Sequence, residues 1–211
     1  MEREQPALET LRDIKRIMER STRFLSLSGL SGVSAGLFAL AGAWIANTQV
    51  RAFHEGIAGG EKGGLSLKWR MVLLAGSVLV AALASSFYFT WRKANNNHLP
   101  VWDRSSKKLL ANLLIPLIAG GIFVTGLFYH NAWHFVAPAC LIFYGLALVN
   151  ASKYTVMDIR YIGILEILIG GVNLYFVSYG LYFWAIGFGL LHIIYGLIMW
   201  RKYDRSVDDH S

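Results

Sequence analysis

The sequence predicts an all-α polytopic membrane protein: six transmembrane helices forming three helical hairpins, behind an amphipathic N-terminal helix. Three observations carry this. The chain of 211 residues is 55% hydrophobic and only 16% charged, with a mean hydropathy of +0.44, whereas soluble domains carry about 25% charged residues. Its apolar residues fall into six blocks, 24–46, 69–91, 108–129, 133–151, 160–178 and 181–200. Each is near the roughly 20 residues needed to cross a hydrocarbon core of about 30 Å. The Lys and Arg residues are also unevenly shared. Sixteen of the 20 lie in segments 1–23, 92–108, 152–160 and 201–211. The four others, Arg51, Lys62, Lys68 and Arg70, lie on the opposite side. Because cytoplasmic loops collect positive charge, both termini are expected in the cytoplasm. The domains are then 1–23, a cytoplasmic amphipathic helix; 24–201, the membrane domain; and 202–211, a cytoplasmic tail.

In the head, "ALETLRDIKRIMERS" places Leu8, Leu11, Ile14, Ile17 and Met18 at helical spacing among charges of both signs. Such a helix suits the inner headgroups or a protein partner. The mixed charges before a full-length apolar run argue against a cleavable signal peptide.

The first span opens with "SLSGLSGVSAGLFALAGAW", in which 12 of 19 residues are Gly, Ala or Ser. Gly29, Gly32, Gly36, Ala39, Ala43 and Ala46 follow alternating steps of three and four, one stripe down a helix. Lipid is as apolar as leucine, so helices associate in it through close backbone contact, which small residues allow. The first span is thus expected inside the bundle, with Leu37, Phe38 and Trp44 outside the stripe. The loop after it, 47–68, is read as long and mobile because of "GIAGGEKGG". The second span has further small residues, Ala81, Ala84 and Ser85, which could serve a second copy or another membrane protein. The loop 92–107 is polar, with Pro100 opposing a continuous helix. Pro116 and Pro138 interrupt spans three and four and could free carbonyls beside a cavity. Short outer loops make 3–4 and 5–6 antiparallel pairs.

Weak internal repetition supports the hairpins. "RFLSLSGLSG" at 23–32 matches "RYIGILEILI" at 160–169, with Leu37 and Leu174 each fourteen residues after the Arg. "TWRK" and "MWRK" end spans two and six, "YGLALVN" and "YGLIMW" recur in spans four and six, and Gly-Gly pairs occur at 120–121 and 170–171.

Few residues could carry chemistry. Glu166 is an acid inside a span, which is costly and marks a polar contact or a pathway. The repeat aligns it with Gly29, on the small stripe. It lies about 9 Å from Arg160 at 1.5 Å per residue, and His192 about 13 Å from Arg201. The two therefore fall at similar depth. They could form a proton or solute site, or a hydrogen bond that locks the last hairpin. Asn173 shares a helix face with Glu166, and Tyr195 with His192. At the other end, "YHNAWHF" holds His130 and His134 four apart, with His54 as a third candidate metal ligand. The pair straddles a turn, and interfacial anchoring is the alternative.

Other chemistry is excluded. Cys140 is the single cysteine, so there is no internal disulfide and no multi-Cys zinc site. "GGEKGG" lacks the spacing of a phosphate-binding loop. No span carries a mid-helix lysine for a Schiff base or two matched histidines for haem. No cofactor is implied. The net charge of +7 reports membrane orientation, so nucleic acid is not an expected partner.

The head "RIMERSTRFLSLSGLSG" resembles uncharacterised six-span inner-membrane proteins of bacteria. The Gly-rich hairpin layout is similar to that of the HdeD-like acid-resistance membrane proteins. These resemblances imply a multi-pass place in the bacterial inner (plasma) membrane, and no residue roles. Three functions compete: a non-enzymatic scaffold, sensor or stress-related protein working by packing and partner contact; a small proton-coupled transporter or channel using Glu166 and His192; and a metal-dependent membrane enzyme using the histidines. Beyond the lipid bilayer, the partner is a second copy or another membrane protein.

Overall fold

The computed structural model describes residues 28–56, 60–96, 102–156 and 158–204, and these are helical with no strand. The helices are α1 (Gly29–His54), α2 (Gly60–Asn96), α3 (Arg104–Tyr129), α4 (Val136–Ala151) and α5 (Ile159–Tyr175). A last rod follows, made of α6 (Gly180–Trp184), a π segment (Ala185–Leu191), α7 (His192–Met199) and a second π segment (Trp200–Asp204). Five helical stretches are long and apolar enough to cross a membrane: α1, residues 67–96 of α2, α3, Trp133–Tyr154 and Val177–Lys202. Helix α5 has 17 residues, about 25 Å at the α-helical rise, just under a full crossing. The expected head helix at 7–21 and the end of the tail lie outside the described residues, as does Pro100.

Sequence expectations for one loop and one proline need correction. The loop read at 47–68 is much shorter, because α1 runs on to His54 and α2 begins at Gly60. Just after α1, Gly56 takes φ 72, a left-handed conformation open to glycine. Pro138 does not interrupt a helix. It sits in the first turn of α4, where a missing N–H leaves no bond unmade. Pro116, by contrast, lies inside α3. It cannot donate to the carbonyl of Asn112 four residues back, and Asn150 Nδ2 of α4 donates there instead, at 2.8 Å.

Helix α3 starts sharply. Asp103 accepts the Ser106 N–H at 2.7 Å and the Ser106 hydroxyl accepts the Asp103 N–H at 2.7 Å, a reciprocal capping box. Burial alone would raise the Asp103 carboxyl, but the hydrogen bonds from Ser106 and Ser105 outweigh it and hold it below its ordinary value.

Helix pairing follows the glycines. α1 packs on α2 and α3 on α4, as hairpins should. The expected third hairpin is looser: α5 packs chiefly on α4, and the last rod chiefly on α1. Gly145 and Gly163 explain the first preference. A Cβ on Gly145 would lie 2.5 Å from the Gly163 carbonyl, and one on Gly163 2.8 Å from the Gly145 carbonyl. Gly36 and Gly196 explain the second, with Cβ positions 2.6 Å from the Gly189 carbonyl and 2.7 Å from the Gly29 carbonyl. Backbones this close gain dispersion contacts that larger residues would forbid.

Burial is inverted relative to a water-soluble fold. Ala39, Ala43, Ala46, Ala139 and Ala147 are buried, while Trp44 is 70% exposed, Leu73 71% and Ile122 69%. An apolar exterior of this extent suits hydrocarbon and would aggregate in water.

Candidate functional site: a polar cluster where three helices meet

Among the described residues, a polar cluster with a buried acid lies in the apolar core. Glu166 and Asn173 from α5 are fully buried, and His192 opens α7 at 9% exposure. Tyr144 reaches in from α4. Its hydroxyl lies 2.7 Å from His192 Nε2, and His192 Nδ1 lies 3.0 Å from the Gly187 carbonyl oxygen. A carbonyl only accepts, so Nδ1 carries the hydrogen, and Nε2 accepts from the Tyr144 hydroxyl. Glu166 Oε1 stands 3.5 Å from the same Nδ1, and neither carboxyl oxygen has a hydrogen-bond partner. A buried carboxyl left so bare is rare and costly.

Local sequence builds this site in two ways. Helix α5 and the last rod run antiparallel, and two glycines of the rod face two polar residues of α5. A Cβ on Gly187 would lie 2.5 Å from Glu166 Oε2 and would also strike Leu141. A Cβ on Gly180 would lie 3.9 Å from Asn173 Oδ1. Glu166 and Asn173 are seven residues apart, as are Gly180 and Gly187, so both pairs follow one register. The π segment Ala185–Leu191 then carries the rod past this point. Such segments are uncommon and often mark functional positions. Phe188 covers the cluster, stacked on His192 at 6.1 Å and tilted on Tyr144 at 5.1 Å and Trp184 at 5.3 Å.

The sequence candidates fall into groups. Glu166 and His192 are brought together. Asn173 lies farther along α5, its Nδ2 donating to the Phe176 carbonyl at 3.1 Å, so it closes the helix end. Tyr195 is half-buried one turn beyond His192. Tyr144 and Gly187 were missed. The signal for Tyr144 was present, since the repeated "YGL" sets Tyr144 in span four against Tyr195 in span six.

In the stripe, Gly29, Gly36, Ala39, Ala43 and Ala46 are buried and Gly32 is half-buried, while Leu37 and Phe38 are exposed. Its glycine end meets Gly189, Gly196 and Trp200 of the last rod. Ser85 is not a spare surface: its hydroxyl lies 3.1 Å from that of Ser34, and Ser86 donates to the Ser31 carbonyl at 3.2 Å, joining α2 to α1.

The histidines do not assemble. His130 ends α3, His134 sits in a 3-10 turn, and Asn131 between them takes φ 56. His54 bonds its own helix at the Val50 carbonyl, 2.8 Å away. Among the described residues no three His, Cys, Asp or Glu side chains gather to hold a metal. The turn instead anchors α2, with Lys68 Nζ 3.1 Å from Asn131 Oδ1 and 4.8 Å over the Trp133 ring.

Comparison with protein-family models, with curated proteins and with solved structures gives no match.

Proposed function

We propose that the chain is a non-enzymatic six-span protein of the bacterial inner membrane, with both termini in the cytoplasm, that acts as a sensor or scaffold through helix packing. The observation that carries this reading is how tightly the polar cluster around Glu166 is closed. Glu166 sits tight against Gly187, where a methyl group would have to push the Glu166 and Leu141 side chains aside, under an aromatic cover. A site that shut holds helices together and leaves no space for a bound solute larger than a proton.

Where the ends meet supports six crossings rather than five. Lys202 Nζ pairs with Asp158 Oδ2 at 2.7 Å, so the start of α5 and the end of the last rod lie at one end of the bundle. The last rod, with the turn before it, is long and apolar enough for a full crossing. Helix α5 must therefore carry the chain to the far end first, with local thinning or flanking turns making up its length. Arg104, Lys107, Lys153, Arg160 and Arg201 belong to that same end, which supports placing it in the cytoplasm.

A second reading, a proton-coupled transporter, is favoured by the π segment beside Glu166. Purified protein in vesicles loaded with a pH-sensitive dye separates the two. The packing reading expects no proton flux above that of empty vesicles. A flux abolished by Glu166→Gln in a folded variant would replace it with the transport reading.

A further inference from the structure

We infer that Tyr144, His192 and Glu166 form a proton-binding site, in which one exchangeable proton is held between the Glu166 carboxyl and the His192 imidazole. It rests on the reading of the chain as a membrane-embedded bundle and names the signal that bundle receives.

The hydrogen bonds define the states. With Nδ1–H directed at the Gly187 carbonyl and Nε2 accepting from Tyr144, the imidazole is neutral and supplies no counter-charge. A carboxylate beside it, fully buried and without a hydrogen bond on either oxygen, is the most costly arrangement. One proton removes that cost in either of two ways. It converts the Glu166 carboxylate to a neutral carboxyl. Alternatively it adds to Nε2, giving an imidazolium whose Nδ1–H faces Glu166 Oε1 across 3.5 Å. In the second case Nε2–H donates and the Tyr144 hydroxyl turns to accept, which needs only rotation about its C–O bond. Both states are neutral overall, so the proton belongs to the pair. It comes from a hydronium ion, which leaves as water, and returns to water on release. No other bond is made or broken.

The surroundings favour a proton over a larger cation. Gly187's carbonyl is already an acceptor for His192, and the glycine notch is filled by Oε2. An alkali cation needs several free oxygens and the space to reach them. Few other groups can titrate nearby. Helix α4 presents Tyr144, with Cys140 one turn away. The last rod presents His192 and Tyr195. Helix α1, which packs on the rod, has no titratable side chain between residues 29 and 50. The nearest described ion pair, Lys202–Asp158, lies at the end of the rod. Losing the proton would set an unpaired charge in the Gly187 notch, so proton occupancy is coupled to the seating of the last rod on α5.

Polarised attenuated-total-reflection infrared spectroscopy tests this on the full chain in phosphatidylethanolamine–phosphatidylglycerol bilayers, titrated from pH 4 to 10. A carboxyl band should rise and fall with pH in the wild type and be absent from Glu166→Gln. Its midpoint should move by at least half a pH unit in Tyr144→Phe. Identical carboxyl regions in wild type and Glu166→Gln would overturn the site. Should Glu166→Gln fail to fold, Tyr144→Phe decides, and an unmoved midpoint overturns it. Amide dichroism in the same spectra reports helix orientation. Helices lying flat on the bilayer would sink the membrane-bundle reading separately from the proton site.

Discussion

Glu166 of α5 fits into the notch left by Gly187 of the last rod, so a methyl group there must displace the ends of the Glu166 and Leu141 side chains. The acid and the glycine are one feature, because the carboxyl occupies the volume a side chain would take. Gly187→Ala should therefore cost about 1–3 kcal/mol, the usual range for overpacking. Gly171 has no neighbour within 4 Å, and Gly171→Ala should be neutral or slightly stabilising. Thermal unfolding of both variants in mild detergent makes the comparison. Equal losses would remove the notch.

The stripe on α1 predicts a graded series. A Cβ on Gly36 would lie 2.6 Å from the Gly189 carbonyl, whereas one on Gly32 would lie 3.2 Å from Gly196 Cα. Gly36→Val should deplete folded protein most and Gly32→Val less. Phe38→Val, at an exposed position, should deplete it least. Yield of monodisperse protein by size-exclusion chromatography reads the order. Loss from Phe38→Val equal to that from Gly36→Val contradicts it.

Asn150 and Pro116 should be coupled. Asn150→Leu leaves the Asn112 carbonyl without its donor and should cost about 1–3 kcal/mol. In a Pro116→Ala background the backbone N–H restored at that position can take the carbonyl, so the cost should shrink. A double-mutant cycle on unfolding free energy measures the difference. Equal costs in both backgrounds would show that Asn150 acts elsewhere.

Asp103 gives a pH dependence with a definite sign. Its folded carboxyl titrates below its unfolded value, so its contribution is complete above the unfolded value and is lost as pH falls through the folded one. Asp103→Ala should cost about 1 kcal/mol at neutral pH, as N-caps do. The gap between wild type and variant should close in acid. A gap that stays constant down to about pH 2, below the ordinary carboxylate range, would deny the carboxylate that role.

Much of this was legible in the sequence. Five of the six span positions follow from hydropathy, because about 20 apolar residues in a row have few other solutions in lipid. Counting residues inward from Arg160 and Arg201 sets Glu166 and His192 at matching depth, and they stand 3.5 Å apart. Helix ends were harder. The glycines at 56–64 read as loop from local propensity, yet α2 already begins at Gly60. Partner choice was illegible, because Gly145 meets Gly163 only once two backbones are in register. Tyr144 was overlooked since a tyrosine in a span looks ordinary until its hydroxyl has a partner. The histidines of "YHNAWHF" have metal-like spacing, and the turn that the sequence already sets between them is there at Asn131.

Short as it is, α5 is proposed to carry the chain across the bilayer. Single cysteines at Lys153, Ser178 and Arg201 in a Cys140→Ser background, probed in intact cells with a membrane-impermeant maleimide, test it most directly. Position 178 should label from outside, and 153 and 201 only after permeabilisation. If 178 were shielded from outside and labelled together with 153, α5 would not cross, and the six-span account would be wrong.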